Sequence, residues 1–311
     1  MNNDNFLIFY STIAQKLFPL FVYILLGFIG GKVLKIEKSS IAKMLIYLLA
    51  PLVFFEAIWS SEINLAQLSM PLVVFSFCSI ICLFIFKVTK NSFPQSLRGI
   101  LAFSSGSANT GYFGIPTIIA LLGADKLPGA ILAIFGYSLY EYTVGFYIAA
   151  RGNFSAQKAL KKVLSLPALY ALVFALTLNS LSIPTLSFVK NLAPSLQSAY
   201  SLLGMFMIGL GIASAQFKNF NFKFISTAFF AKFILWPASM LFFLYLEKSY
   251  FPFYSETSRQ IFKIMSIVPL AANGVSIATE LKTHPEEVSI AIVLSTLFAL
   301  IFIPIYSFFF L

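Results

Sequence analysis

Charge is scarce in this sequence. Of 311 residues only 10% are Asp, Glu, Lys or Arg, against about 25% in a soluble domain. The chain has a single histidine, His284, and two cysteines, Cys78 and Cys82. One histidine cannot build a zinc site. Two cysteines four residues apart in one apolar run form neither a metal cluster nor a disulfide framework. There is no P-loop, no dinucleotide-type glycine turn and no Gly-x-Ser-x-Gly elbow. A membrane enzyme acting on lipid needs clustered His, Asp, Glu or Cys near one interface, and the scattered acids here supply none. No catalytic residue, cofactor or metal is therefore expected. A receptor or sensor is also disfavoured, because no soluble signalling domain is visible. The N-terminus lacks the basic start and small-residue cleavage site of a removed signal peptide, so the first apolar run is expected to be retained.

What is abundant is apolar surface: 59% of residues are hydrophobic, Phe occurs 37 times, and the mean hydropathy is +0.90. A water-soluble enzyme or a nucleic-acid binder is excluded on that ground. Crossing about 30 Å of hydrocarbon takes about 20 apolar helical residues. Ten such runs can be drawn, at 13–34, 41–59, 68–88, 95–122, 129–150, 163–181, 192–215, 224–246, 258–281 and 287–311. None alternates with period two, which excludes a barrel, and helices satisfy their own backbone in lipid. The expected fold class is an all-α integral membrane protein of ten transmembrane helices, with the lipid bilayer as its main partner. Gly27 and Gly31 in the first run suit close helix packing.

The net charge of +10 is read as topology and not as nucleic-acid affinity. Of the 21 Lys and Arg, fourteen fall on the side holding the connections 1–2, 3–4, 5–6, 7–8 and 9–10. Six, Lys16 and Lys263 among them, lie on the other side, and Lys232 is inside a span. The positive-inside rule then puts both termini outside. The most basic connection, 151–162, separates 1–150 from 163–311, with five spans in each. An odd number per half makes the second half enter from the opposite side, an inverted repeat.

Spans 4 and 9 carry small and polar residues where apolar ones belong. Span 4 has Asn109, Thr110, Gly111, Gly114 and Pro116, and span 9 has Pro269, Asn273 and Gly274. Glycine and proline both weaken a helix interior, and irregular backbone at membrane depth survives only beside protein or a water-filled cavity. Each break also leaves a half-helix N-terminus suited to an anion. The alternative is that these small residues only allow close packing. Two breaks at matching positions, one per half, favour a transport site, with Asn109, Thr110, Gly111, Asn273 and Gly274 against the substrate.

The stretch Asn109-Thr-Gly-Tyr-Phe-Gly-Ile-Pro116 resembles the signature of the auxin efflux carrier family. Pro269-Leu-Ala-Ala-Asn273, Pro285-Glu-Glu, Ile303-Pro304 and the region from Tyr47 to Phe55 are similar to other parts of its pattern. The resemblance implies that spans 4 and 9 cross at Pro116 and Pro269 and that a small carboxylate is held near Asn109 and Asn273. It also implies a scaffold of spans 1, 2, 6 and 7, a mobile bundle of the rest, and a homodimer. The chain lacks a long central loop. It is closest to the compact bacterial permeases for malonate or malate, which implies the plasma membrane of a bacterium (its inner membrane).

Glu141 and Lys232 fall near the middle of spans 5 and 8, where a charge costs roughly 2.5–3.5 kcal/mol and usually faces a partner. They are read either as proton- or sodium-coupling and substrate-attracting groups or as a pair with each other, with Tyr137 and Tyr140 as further partners. Glu56 near Trp59 is expected to be solvated, as is His284 beside Glu286 and Glu287. The function this supports is secondary transport of a small organic anion by alternating access. The alternative is a cation/proton antiporter or sodium-coupled symporter of similar fold. Antiporters of that kind use midplane carboxylates, and Glu141 is the only central one.

Overall fold

The computed structural model describes residues 3–150, 164, 167–214 and 221–311, with side chains from residue 15 onward except that of Glu280. Among the described residues all regular structure is helical. We number the elements α1 (Asn3–Lys32), α2 (Lys38–Trp59), α3 (Leu65–Val88), α4 (Gln95–Gly106), α5 (Ile115–Leu122) and α6 (Ala124–Ala150). They continue as α7 (Pro167–Ser180), α8 (Ser187–Ser214), α9 (Phe222–Tyr250), α10 (Glu256–Ile267), α11 (Gly274–Glu280) and α12 (Pro285–Phe310). By length and composition six of these, α2, α3, α6, α8, α9 and α12, can cross a membrane. The other four apolar runs take different forms. Runs 95–122 and 258–281 are each two half-helices around an irregular segment. Run 163–181 contains α7, whose 14 residues span only about 21 Å, and run 13–34 overlaps α1 as far as Lys32. The basic connection 151–162 and Lys218 lie outside the described residues.

The helices pack as two groups. In the first, α1 runs along α8 and α2 along α7. A Cβ on Gly27 would fall on the Phe206 backbone of α8, and one on Gly209 would fall on the Ile24 carbonyl of α1. Glycine is required at both positions because the two backbones touch. The α2–α7 end is tied by polar groups in place of water. Asn179 Nδ2 donates to the Ile58 carbonyl at 3.1 Å and to that of Ser61. Trp59 Nε1 donates to the Ile183 carbonyl at 2.9 Å. Glu56 departs from expectation: it is buried, and accepts from Ser60 at 3.0 Å and from Gln197 of α8 at 3.3 Å. The carboxylate joins α2 to α8 and does not face solvent.

The second group holds α3, α4, α6 and α9 to α12. Arg259 of α10 donates twice to Glu247 of α9, at 2.8 and 3.1 Å, and Glu247 also accepts the Phe253 and Tyr254 N–H groups. His284 is likewise engaged where a solvated loop was expected. Its ring nitrogens lie 3.1 Å from Glu287 and 3.3 Å from Ser96, joining the starts of α12 and α4.

Four widened π turns occur: Leu45–Leu49, Glu141–Gly145 and Ala231–Leu235 inside α2, α6 and α9, and Thr110–Gly114 leading into α5. Three of these run directly into a proline, Pro51, Pro116 or Pro237. A proline ring clashes with the carbonyl four residues back, here those of Tyr47, Tyr112 and Phe233. Each of those carbonyls sits in the widened turn, which makes room for the ring. Such turns are frequent at functional sites, and Thr110, Glu141 and Lys232 all lie in them.

Candidate functional site

The two irregular segments meet. α4 ends at Gly106, residues 107–109 are extended or irregular, and the π turn leads into α5. Pro116 lies inside the helical stretch that starts at Thr110, where the π turn makes room for its ring, so the interruption lies before the proline, at Ser107–Asn109. Further along the chain, α10 ends at Ile267 and α11 starts at Gly274, with Pro269 and Asn273 between. The Asn109 N–H donates to the Pro269 carbonyl at 2.8 Å, which joins one break to the other.

A half-helix end in lipid leaves carbonyls that water cannot reach. Side chains from neighbouring helices take that role. Tyr140 Oη donates to the Phe103 carbonyl at 3.0 Å and Trp236 Nε1 to that of Ser105 at 2.8 Å, closing the end of α4. Tyr137 Oη donates to the Met265 carbonyl at 3.0 Å, closing that of α10. The sequence signal for these caps is a tryptophan and two tyrosines at mid-span, although such rings usually gather at the interfaces.

A cavity of about 200 Å³ lies against the joined breaks. Asn109, Thr110, Gly111, Asn273 and Glu141 line it, together with Tyr112, Ser138, Tyr142 and Tyr200, which sequence reasoning missed. Gly111 keeps Tyr200 close: a Cβ there would stand 3.1 Å from its hydroxyl. Among the described residues the Asn109 side-chain amide makes no hydrogen bond, while Asn273 Nδ2 donates to Glu141 Oε2 at 2.6 Å. Gly274 does not line the cavity; it packs towards α12, and its N–H is donated to the Ala271 carbonyl. Gly114 lies 3.1 Å, by its added Cβ, from the Met265 sulfur, and so belongs to the contact between the two breaks.

Of the two readings of Lys232 and Glu141, the mutual ion pair is not formed among the described residues. Lys232 is 0% exposed and its ammonium has no hydrogen-bond partner among the described residues. It stands over the rings of Trp236, at 4.9 Å, and Tyr137, at 5.8 Å. Such contacts are worth about 0.5–2 kcal/mol each, whereas burying an ion costs several kcal/mol. The rings offset only part of that cost. Because Trp236 is bonded to Ser105, Lys232 also stands near the C-terminal end of α4, where the helix dipole favours a cation.

The sequence profile of the membrane transport protein family matches residues 12–153 and 151–307. A protein of Methanocaldococcus jannaschii, named as an uncharacterized transporter, is 27% identical over 235 residues, covering 70% of this chain and 74% of that relative.

Proposed function

Since the chain belongs to the membrane transport protein family, and is a transporter and not an enzyme, we propose that its substrate is a small organic carboxylate bound at the joined breaks. The observation that carries this is the Asn109 side-chain amide, on a residue that lines the cavity and with no hydrogen bond of its own among the described residues. Thr110 and the remaining groups of Asn273 stand beside it. Together they offer neutral donors to a carboxylate. Transport is by alternating access, with the first helix group as scaffold and the second moving against it.

The accompanying architecture is ten spans in two inverted halves, 1–150 and 163–311, whose broken helices cross at the site. The connection 151–162 joins them, and the two matched profile segments meet at its start. By resemblance to compact bacterial permeases, the protein works as a homodimer in the bacterial inner membrane, with both termini outside.

Glu141 bears on the coupling ion. A substrate carboxylate beside Asn273 stands close to the Glu141 carboxyl, and two carboxylates sharing one site cannot both ionise without a large cost. A proton carried on Glu141 removes that cost, so proton and anion travel together. The same carboxyl also favours the second reading, a cation/proton antiporter or sodium-coupled symporter. Counterflow in proteoliposomes with radiolabelled malonate, malate and indole-3-acetate, with and without sodium, separates the two. Accumulation of one acid, lost in Asn109→Ala and Asn273→Ala while the proteins remain folded, is the expected result. Wild-type rates in both variants would remove the site assignment, and sodium-dependent flux with no acid accumulated would favour the second reading.

A further inference from the structure

A second cavity, of about 240 Å³, lies between the start of α2, the end of α8 and the first half of α12. Asn109, Tyr112 and Ala272 line both cavities, so the break residues form a shared wall between them. The proposed substrate site makes no use of this second space. Its lining includes the hydroxyl residues Ser289 and Thr296 and one charged residue, Lys38.

Lysine at a helix end in a membrane protein ordinarily runs its stem out to the interface. Lys38 is exposed, and its stem also leans over α8, with its ammonium 3.7 Å from the position a Cβ on Gly211 would take. It has no ion-pair partner among the described residues, and the neighbouring Glu37 accepts from the Ser39 hydroxyl. A lone cation lining a cleft with low-dielectric walls raises the local concentration of anions. Beyond it, the shared wall carries the Asn109 amide.

We infer that Lys38 captures the carboxylate in the second cavity, an entry subsite from which the anion passes to Asn109. The inference rests on the anion-transport reading above and adds a charged residue to a pathway otherwise built of neutral donors.

The test is Lys38→Cys in proteoliposomes, with radiolabelled malonate, malate or indole-3-acetate supplied at the face bearing residue 38. KM should rise about 10-fold, in line with the effect of focused charge on encounter, with kcat little changed. Charge is then returned chemically. Aminoethyl methanethiosulfonate, which adds a cation at the cysteine, should bring KM back towards the wild-type value. Sulfonatoethyl methanethiosulfonate, which adds an anion, should raise it further. Cys78 and Cys82 are buried, which directs both reagents to position 38. An unchanged KM, or the same response to both reagents, would make Lys38 an interfacial anchor and overturn the inference alone. No wild-type flux of any of the three acids would overturn the anion reading, and the Lys38 assignment with it.

Discussion

The two asparagines of the site differ in what their amides have left to give. Asn109 has its whole side chain available to the cavity, whereas Asn273 commits one N–H to Glu141 at 2.6 Å. Glu141→Gln separates the geometric part of that bond from its charge. The glutamine carbonyl still accepts from Asn273, so the break keeps its shape, but the side chain can no longer take up or release a proton. Counterflow of the carried acid should persist in this variant, while its dependence on pH should flatten. A pH profile identical to that of wild type would remove the coupling role. Glu141 was legible in the sequence because a mid-span acid is rare. Its partner was not, since 132 residues separate it from Asn273 and only the packing of α6 against the second break brings them together. Lys38 was hidden for the opposite reason. A lysine at the start of a span reads as one more positive-inside charge, and only the second cavity sets it apart.

At the level of elements, the breaks were legible from Gly, Ser, Asn and Pro in apolar runs, but their exact form was not. Proline draws attention as the breaker, yet Pro116 lies inside the helical stretch that starts at Thr110, and the chain leaves helical geometry at Ser107–Asn109. What ends α4 is the set of outside partners for its last carbonyls, Tyr140 and Trp236, which no local pattern encodes. The π turns follow the same logic: the prolines in the sequence mark three of the four, and the turn at Glu141–Gly145 has none. The α1–α8 contact is more local in origin. Gly209 lies against the Ile24 carbonyl and the Phe28 nitrogen of α1, and an added Cβ would strike both. Gly209→Val must separate two backbones, and overpacking of this kind costs about 1–3 kcal/mol. A lowered thermal midpoint in detergent is the expected outcome, and an unchanged one would show that the helices part freely there.

For the whole molecule, composition and the continuous apolar runs together were enough to establish a polytopic helical membrane protein, because without period-two alternation a closed barrel is excluded and helices are left to satisfy the backbone. The pairing of α1 with α8 and α2 with α7 could not be read from composition, since every apolar helix face looks alike to lipid. It depends on glycine contacts and a few polar ties spread over more than a hundred residues. Orientation depends on a different term, the asymmetry of Lys and Arg between alternate connections, and it can be tested without knowing the substrate. Native Cys78 and Cys82 are buried, so a single new cysteine in a connection reports its own side. Lys35→Cys lies in the α1–α2 connection and Ser182→Cys in the α7–α8 connection, which the charge count puts on opposite faces. In intact cells, an impermeant maleimide should label position 182 and spare position 35, and disrupted membranes should expose both. Labelling at position 35 alone would invert the topology and place Lys38, together with the second cavity it lines, on the outer face. Labelling at both in sealed cells would break the alternation on which ten spans depend. The outcome also decides from which compartment an anion first meets the Lys38 charge.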